Sequence, residues 1–485
     1  MRVKVILYLL GAFCIFLGLS MLFPAALAFA YRETETAAIP IFLSAILTLG
    51  IGGALFLAFR GQRVEISHRE GFAITAMTWM TAGLFGALPY LFSGALPHFA
   101  DAYFESMSGF TTTGASVFTS VENLPHGILF WRSLTHWIGG MGIILLSIAI
   151  LPLLGVGGMQ LYKAEATGVG VSSDKLAPRL IEVVKLFGLV YILITVAGII
   201  ALIWAGMGPF DAVIHAFGTV ATGGFSNKNI SVEYYHSPLI EFILIVFMFI
   251  AATNFALHAN ILRSGPKIYW RNPEFRFYLG LQLLAIILVA INLRFSIYDS
   301  ITSSIRYASF QVVSINTCTG FSSIDFAKWP SFSQLILVVL MLIGGSTGST
   351  TGAIKCLRIM ILLKQGYKEL RHLIHPHAIM PIRLGRRTVP PEVVTGAIGF
   401  TFLYIVIFTL ASLMMAFMGL DIVSAISSVA TTMGGVGPGL GIVGPLSNYS
   451  EIPYIGKWLL ILCMLLGRLE IYTLLILFTP IFWKG

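Results

Sequence analysis

Four short segments of this sequence share a pattern in which small or hydroxylated residues lead to a glycine. Glycine lets a chain turn its carbonyl groups toward an axis without a Cβ clash, and rings of backbone carbonyls can replace the hydration shell of an alkali cation. The segments carry few charged side chains, which favours a weakly hydrated monovalent cation over calcium, whose sites want carboxylates. We therefore predict that the four segments form a cation filter.

The predicted filter takes four residues from each segment. They are Thr111, Thr112, Thr113 and Gly114; Val220, Ala221, Thr222 and Gly223; Thr317, Cys318, Thr319 and Gly320; and Thr431, Thr432, Met433 and Gly434. The alternative is that threonine–glycine pairs only let helices pack closely, as small residues do in membranes. Four copies at equivalent positions favour the filter.

Each glycine closes a segment that is too short to cross a bilayer. The segments lie near 101–116, 211–226, 302–323 and 421–439. In three copies an aspartate, Asp101, Asp211 or Asp421, stands 12 or 13 residues before the glycine, whereas the third copy has Asp299, 21 residues ahead. An aspartate at this place is expected to cap a helix N-terminus. The pattern thus predicts that each repeat consists of a span, a short capped helix, a glycine-containing loop and a second span.

The rest of the chain is strongly apolar. Of its 485 residues, 57% are hydrophobic and 11% are charged, whereas soluble domains contain about 25% charged residues. Ten segments are long enough to cross a bilayer: roughly 4–30, 38–59, 71–93, 128–155, 180–206, 238–262, 275–297, 333–361, 392–418 and 456–482. The first is interpreted as a retained span, since its apolar stretch exceeds that of a signal peptide. The predicted fold is an all-α polytopic membrane protein with ten spans and four re-entrant segments.

Four loops at membrane depth must line a watery cavity or be buried in protein. We expect them to converge on one axis, which gives a pseudo-fourfold pore with the negative C-terminal ends of the short helices directed at it. The first two spans stand outside the repeats. The predicted division is an N-terminal two-helix hairpin at 1–68 and pore repeats at 69–160, 161–270, 271–388, which includes the gating loop, and 389–485.

The charged residues that give the net charge of +9 are predicted to be distributed unequally between the two sides of the membrane. With both termini cytoplasmic, 21 of the 30 Lys and Arg residues fall inside, as the positive-inside rule requires. This distribution explains the basic charge, so no nucleic-acid partner is predicted. Outside, acidic residues outnumber seven basic ones, and this excess is expected to enrich cations at an entrance.

The four repeats and the N-terminal hairpin resemble the Trk-type bacterial potassium uptake proteins of the Trk/Ktr/HKT superfamily, specifically their TrkH-like pore subunits. The likeness covers nearly the whole chain. It implies potassium uptake across the bacterial cytoplasmic (inner) membrane through a gated, channel-like pore, by a homodimer with one pathway in each protomer. It also implies a cytosolic TrkA-type regulatory ring that binds ATP, ADP or NADH, for which the basic segment 355–387 offers a docking surface. Potassium is the only expected ligand, as substrate, and no nucleotide site is predicted in this chain.

The resemblance also implies that Gly114, Gly223, Gly320 and Gly434 correspond to the filter glycines of the family. In the superfamily, a serine at the first of these positions accompanies sodium preference, so Gly114 favours potassium. Met433 replaces the threonine that precedes the glycine in other copies, and we therefore expect imperfect discrimination against sodium.

The eighth predicted span contains a glycine-rich segment. Its residues are Gly344, Gly345, Ser346, Thr347, Gly348, Ser349, Thr350, Thr351 and Gly352. Four glycines, at about 1 kcal/mol each relative to alanine, predict that the helix breaks here. A phosphate loop is excluded because the Gly-Lys-Ser/Thr signature and a preceding strand are lacking. A contact between helices through small residues stays open as an alternative, whereas the resemblance implies a movable gate beneath the filter.

Arg468 lies within the last predicted span. A buried arginine costs several kcal/mol unless it faces water or a partner, so it is a candidate functional residue. Glu470 is two positions on and faces another side of the helix, so the two are not expected to pair. The resemblance implies that Arg468 projects into the pore below the filter as an electrostatic barrier, and the alternative is an ion pair with an acidic group on another helix. Arg132, at the outer end of a span, is expected to extend toward the interface.

Two other function classes remain for comparison. A proton- or sodium-coupled potassium symporter would need a titratable residue on the path, for which Glu470 is a weak candidate, and it stays as the alternative function. A membrane enzyme would need catalytic polar groups clustered at membrane depth, and the sequence shows no such cluster. The protein is therefore predicted not to be an enzyme.

Overall fold

The computed structural model describes residues 1–61, 67–149, 176–385 and 387–483. The described chain is mostly helical, and its strands are one antiparallel pair of two residues each, β1 (Arg383–Leu384) and β2 (Arg387–Thr388). The described residues contain seven helices that are long and apolar enough to cross a membrane. The predicted all-α polytopic membrane fold is confirmed. The end of the predicted span 128–155 and the repeat boundary at 160 lie outside the described residues.

The other three predicted spans are broken, so ten continuous spans are not what the structure shows. Helices Pro238–Ala251 and Phe255–Ile261 meet at 96°, and Tyr454–Arg468 and Tyr472–Phe478 meet at 114°. The predicted span 333–361 is divided into two helices by a non-helical stretch. Each break falls in the second span of a repeat.

The α-helices are numbered in chain order. They are α1 (Val3–Ala30), α2 (Ile39–Ala58), α3 (His68–Gly86), α4 (Leu88–Phe92), α5 (Phe99–Phe110), α6 (His126–Ala149), α7 (Leu176–Trp204), α8 (Pro209–Val220), α9 (Pro238–Ala251), α10 (Phe255–Ser264), α11 (Lys267–Arg271), α12 (Pro273–Ser296), α13 (Ile301–Asn316), α14 (Ser331–Ile343), α15 (Cys356–Ile374), α16 (Pro391–Phe417), α17 (Ile422–Gly434), α18 (Tyr454–Arg468), α19 (Tyr472–Leu475) and α20 (Pro480–Trp483). A π-helical turn (Thr34–Ala38) leads into α2, and 3₁₀ turns occupy Ser231–Tyr235, Phe326–Lys328, Gly441–Val443 and Ile476–Phe478.

The short helices α5, α8, α13 and α17 are connected through the long helices into a ring. The second span of each repeat packs against the short helix of the following repeat: α6 on α8, α9 on α13, α14 on α17, and α18 on α5. The last of these contacts joins the fourth repeat to the first and closes the ring. The hairpin of α1 and α2 packs against α3, α4 and α6, and so lies beside the first repeat.

The predicted aspartate caps are correct for one repeat and wrong for two. Asp421 caps α17, where its carboxylate accepts a hydrogen bond from a backbone N–H in the first turn. Asp101 and Asp211 lie inside the first turn, because α5 and α8 begin two residues before them. Their carboxylates bind other elements instead: Asp101 accepts from Lys457 Nζ at 2.6 Å, and Asp211 accepts from Tyr235 Oη at 2.7 Å. Asp101 therefore ties the fourth repeat to the first.

Candidate functional site

The chain makes the same backbone turn at the end of each short helix. We name these turns loop 1 (111–114), loop 2 (221–224), loop 3 (317–320) and loop 4 (434–437). In each, the third residue donates its N–H to the carbonyl five residues back: Thr113 to Ser108 (2.9 Å), Gly223 to Gly218 (2.8 Å), Thr319 to Ser314 (2.9 Å) and Val436 to Thr431 (2.8 Å). The fourth residue is a glycine with positive φ in every loop: Gly114 (79°), Gly224 (77°), Gly320 (79°) and Gly437 (92°). The second residue also has positive φ: Thr112, Thr222, Cys318 and Gly435.

This shared turn corrects the predicted register of two loops. The backbone equivalents of Gly114 are Gly224 and Gly437, whereas the sequence pattern selects Gly223 and Gly434. Matching by composition takes the first glycine after the hydroxylated residues, but α17 remains helical through Gly434. Val220, Thr431, Thr432 and Met433 consequently lie in helices and not in loops. Val436 precedes Gly437, the fourth residue of loop 4, and thus takes the place given to Met433. It is likewise not a threonine, so imperfect discrimination against sodium stays a prediction.

The four loops contact one another in cyclic order. We call the fourth residues of the loops, Gly114, Gly224, Gly320 and Gly437, the ring glycines. A Cβ added to any of them would lie under 3.0 Å from a carbonyl oxygen of an adjacent loop. These oxygens are Gly223 O for Gly114, Thr319 O for Gly224, Val436 O for Gly320 and Thr113 O for Gly437. A side chain at these positions would also meet an unfavourable positive φ. The chain thus brings four equivalent residues, each next to a ring glycine, into one ring of neighbouring loops.

A cavity of about 130 Å³ adjoins this ring. All four ring glycines line it, together with residues that follow each loop. Among the described lining residues the charged ones are Arg132 and Lys228, and no Asp or Glu is present. Three acidic residues lie beside this lining. Asp211 is paired with Lys228, Glu122 accepts the N–H of Asn229, and Glu233 donates its own N–H to Ser322 O. The described lining therefore offers a cation backbone, hydroxyl and amide oxygens, and no carboxylate.

The predicted break in the glycine-rich segment 344–352 is present. α14 ends at Ile343, α15 begins at Cys356, and every residue between them is buried. Thr350 Oγ1 donates to the carbonyl of Ala251 at 3.2 Å, and Thr222 Oγ1 in loop 2 donates to Thr350 Oγ1 at 3.1 Å. The segment thus lies at the end of the loops opposite the cavity.

Further bonds hold the same segment to the break between α9 and α10. Ser346 donates its N–H to Ala252 O at 3.0 Å, and Gly348 O accepts the N–H of Phe255 at 3.0 Å. The N–H of Thr347 donates to the Glu274 carboxylate at 2.6 Å. The remaining predicted gate residues, Gly344, Gly345, Ser349, Thr351 and Gly352, are buried in the same stretch. All nine therefore form one packed unit.

Arg468 is the last residue of α18 and is 4% exposed. Its Nη1 donates to Thr350 O at 2.6 Å, and its Nη2 donates to Gly139 O at 3.2 Å. Its Nε has no hydrogen-bond partner among the residues that the structure describes. The alternative is an ion pair between Arg468 and an acidic group on another helix. The structure does not support it, because both partners of Arg468 are backbone carbonyls. The side chain links the glycine-rich segment to the first repeat.

Glu470 does not pair with Arg468, in agreement with the sequence analysis. Instead it accepts from Lys355 Nζ at 3.1 Å and from the Arg358 guanidinium. All three side chains of this ion cluster are buried. The basic segment 355–387 is predicted to be an exposed docking surface, and this prediction is wrong for Lys355 and Arg358. An acidic residue isolated in an apolar run needs a partner, and this is the signal by which the cluster could have been found.

We expect Glu470→Gln to destabilise the protein by about 3 kcal/mol, because removing one partner leaves buried charges uncompensated. The thermal unfolding midpoint of the purified protein in detergent, followed by tryptophan fluorescence, measures this effect. Glu369→Gln is the matched control, since Glu369 is exposed on α15. Equal midpoints for the two variants would contradict a stabilising role for the cluster.

Arg132 does not extend to the interface as predicted. It is 3% exposed and its Nε donates to Glu105, which is fully buried, at 2.7 Å. Sequence analysis missed Glu105 as a functional candidate. The available signal was its place in the middle of a short apolar segment, where the second and third copies carry His215 and Gln311.

Comparison with known proteins gives one consistent result. The family model described as TrkH, cation transport protein, matches residues 38–484. The Trk system potassium uptake protein TrkH of Salmonella typhimurium is 42% identical over 488 residues, with both chains covered completely, and its Escherichia coli K12 counterpart has the same identity and coverage. The crystal structure of the potassium transporter TrkH from Vibrio parahaemolyticus superimposes with a TM-score of 0.91 at 38% identity, again over all of both chains.

Proposed function

Because this chain belongs to the TrkH family of cation transport proteins, we propose that it takes up potassium across the bacterial cytoplasmic membrane through a gated pore. The family consists of transporters and not of enzymes. The relatives named above are potassium uptake proteins of Trk systems. Potassium is accordingly the substrate of the proposed pathway.

The ring of four loops is the observation that carries this proposal. Carbonyl groups at Thr113, Gly223, Thr319 and Val436 lie beside the ring glycines of adjacent loops, as a fourfold carbonyl filter requires. We assign the filter to loops 1–4 in their structural register. Potassium would leave its hydration shell in the 130 Å³ cavity and pass between these carbonyls.

The glycine-rich segment 344–352 and Arg468 form the proposed gate. The segment is buried at the far end of the loops and bonded to Thr222, so an ion that leaves the filter meets it next. Its polar backbone and the Arg468 charge would both oppose passage of a cation in this arrangement. Opening would require the segment to withdraw from its partners on α9, α10 and α18.

A coupled symporter is the alternative mechanism. It requires a titratable group on the path, yet the described lining of the cavity contains no carboxylate and Glu470 is engaged by two cations. These observations favour the uncoupled pore. Rubidium uptake into proteoliposomes tests both functions. We expect rubidium to enter under a potassium gradient, at the same rate with and without a pH gradient. Uphill uptake driven by a pH gradient alone would overturn the pore.

We assign both termini to the cytoplasm and propose a homodimer in which each protomer holds its own pathway. The division into a hairpin and four repeats, at the boundaries given above, belongs to the same proposal. The name of the relatives, Trk system proteins, supports a partner, which we identify as a cytosolic TrkA-type ring that binds ATP, ADP or NADH. Lys364, Lys368 and Arg371 line a cavity of about 380 Å³ beside the β1–β2 hairpin, which offers that ring a basic docking surface.

Gly114→Ser is expected to raise sodium permeation relative to potassium. The new side chain would meet Gly223 O, so this carbonyl must move, and the serine hydroxyl would add a ligand to the ring. We expect total uptake to fall, because the added Cβ would lie under 3.0 Å from this carbonyl oxygen. We also expect the ratio of rubidium to sodium uptake in proteoliposomes to fall about tenfold, which corresponds to ~1.4 kcal/mol. Gly94→Ser is a control, since Gly94 also has positive φ but open space around it. An unchanged ratio for Gly114→Ser would remove loop 1 from the filter.

A further inference from the structure

Hydrogen bonds between neighbouring repeats lie beside the cavity, just beyond three of the four ring glycines. Ser116, Ser226 and Ser322 lie at equivalent positions, two residues after the ring glycine of their loops. Each presents its backbone carbonyl to a donor of another repeat: Ser116 O to Tyr449 N (2.8 Å), Ser226 O to Arg132 Nη1 (3.1 Å) and Ser322 O to Glu233 N (3.1 Å). Two of these donors are backbone groups. The bond to Ser226 O therefore differs from the other two in coming from a side chain. Farther from the ring, Asn229 also joins the segments that follow loops 1 and 2, through Val121 N, Glu122 and Ser120.

Arg132 makes three directed contacts with different elements. Besides Ser226 O beyond loop 2, its Nη2 donates to Ser116 Oγ beyond loop 1 at 3.1 Å, and its Nε donates to Glu105 of α5 at 2.7 Å. The guanidinium carbon lies 3.8 Å from the centre of the Phe225 ring, a stacked arrangement that fixes its plane. The side chain thus spans from the first short helix to the chain that leaves loop 2.

Glu105 keeps this bridge electrically neutral. One of its oxygens receives Arg132 and Ser116 Oγ, and the other receives the N–H of Val117 at 2.9 Å. Arg132 lines the cavity, where an uncompensated cation would repel potassium. A planar guanidinium can make three such bonds at once, whereas a lysine ammonium acts as a point charge and cannot reproduce the fork.

We propose that Arg132 is a positioning residue for ion selectivity, which holds loops 1 and 2 at a fixed separation through its bridge between Glu105, Ser116 and Ser226. The inference rests on the proposed function of the ring as a potassium filter. A change in the separation of the two loops shifts Gly223 O relative to Gly114, and the ring then fits potassium less well. In this role Arg132 acts through the loop backbones and is not itself a ligand of the ion.

Arg132→Lys tests the bridge because it keeps the charge and removes the fork. We expect the ratio of rubidium to sodium uptake in proteoliposomes to fall about tenfold, since charge-assisted bonds of fixed geometry are lost. Ser116→Ala removes one acceptor of the bridge and is expected to lower the ratio about threefold. Arg306→Lys is the matched control, because Arg306 makes two bonds of 2.7 Å with Glu241 but does not line the cavity beside the ring. Its uptake ratio should equal that of the wild type.

A second readout does not depend on transport. Potassium that binds the filter raises the melting temperature of the purified protein above its value in sodium, and this difference should shrink in Arg132→Lys but not in Arg306→Lys. An unchanged uptake ratio in both Arg132→Lys and Ser116→Ala would overturn the proposal, as would a lower melting temperature with an unchanged potassium effect. If Arg132→Lys aggregates, Ser116→Ala decides alone. Failure of the wild type to take up rubidium would instead refute the proposed function.

Discussion

Gly437→Ala is expected to lower potassium flux about 100-fold while leaving the protein folded. Gly437 has a φ of 92°, and an added Cβ would approach both Thr113 O and the Gly114 backbone at 2.8 Å. The neighbouring atoms belong to the backbone of loop 1, so relief requires the loop to move. A displacement worth about 3 kcal/mol corresponds to about a 100-fold loss of rate. Rubidium uptake into proteoliposomes at matched protein density measures the effect.

Gly435→Ala is the control that separates ring geometry from general damage to loop 4. Gly435 also has positive φ, but an added Cβ meets nothing within 4 Å, and the equivalent positions of the other loops carry Thr112, Thr222 and Cys318. We expect flux near the wild-type level. If Gly437→Ala conducts as well as Gly435→Ala, loop 4 does not line the pathway in the register assigned here.

The fold is predictable from the sequence because each of its main signals is local. Apolar length identifies the spans, and glycine density alone locates the helix break at 344–352. The fourfold repeat is also visible as composition. Its register is not, because register depends on where each short helix ends, and α17 continues to Gly434 while α5 ends at Phe110. The hydrogen bond from Val436 N to Thr431 O shows that Val436 is equivalent to Thr113, Gly223 and Thr319. The sequence alone does not show this equivalence.

The burial of charged residues, unlike the fold, is not predictable from local features of the sequence. Position along the chain predicts Lys355 and Arg358 on an exposed basic segment and Arg132 at an interface, yet all three are buried. Burial of a charge depends on a partner that is distant in sequence, here Glu470 and Glu105. A single sequence gives no such pairing, although it does show that Glu470 and Glu105 lie in apolar surroundings and need cations.

Arg468→Ala is expected to increase potassium flux about tenfold, because it releases the glycine-rich segment and removes a buried positive charge. Hydrogen bonds from a charged donor contribute about 1.5–3 kcal/mol each, and ~1.4 kcal/mol shifts an equilibrium constant tenfold. Arg468 donates to Thr350 O at 2.6 Å and so stabilises the arrangement that we propose to be closed. Rubidium uptake should rise, while the ratio of rubidium to sodium uptake stays at its wild-type value because the loops are unchanged.

Two further variants decide whether the barrier lies in this segment. Arg294→Ala removes the same charge from an exposed site on α12 and should leave uptake unchanged. Deletion of 346–348 removes the bonds to Ala252 and Phe255 without touching Arg468, and it should also raise uptake. Because Arg468 and this segment meet at Thr350, each change opens the same contact from a different side. Lower uptake in both Arg468→Ala and the deletion than in the wild type, at equal expression and with a monodisperse elution profile, would show that the contact supports conduction and does not block it.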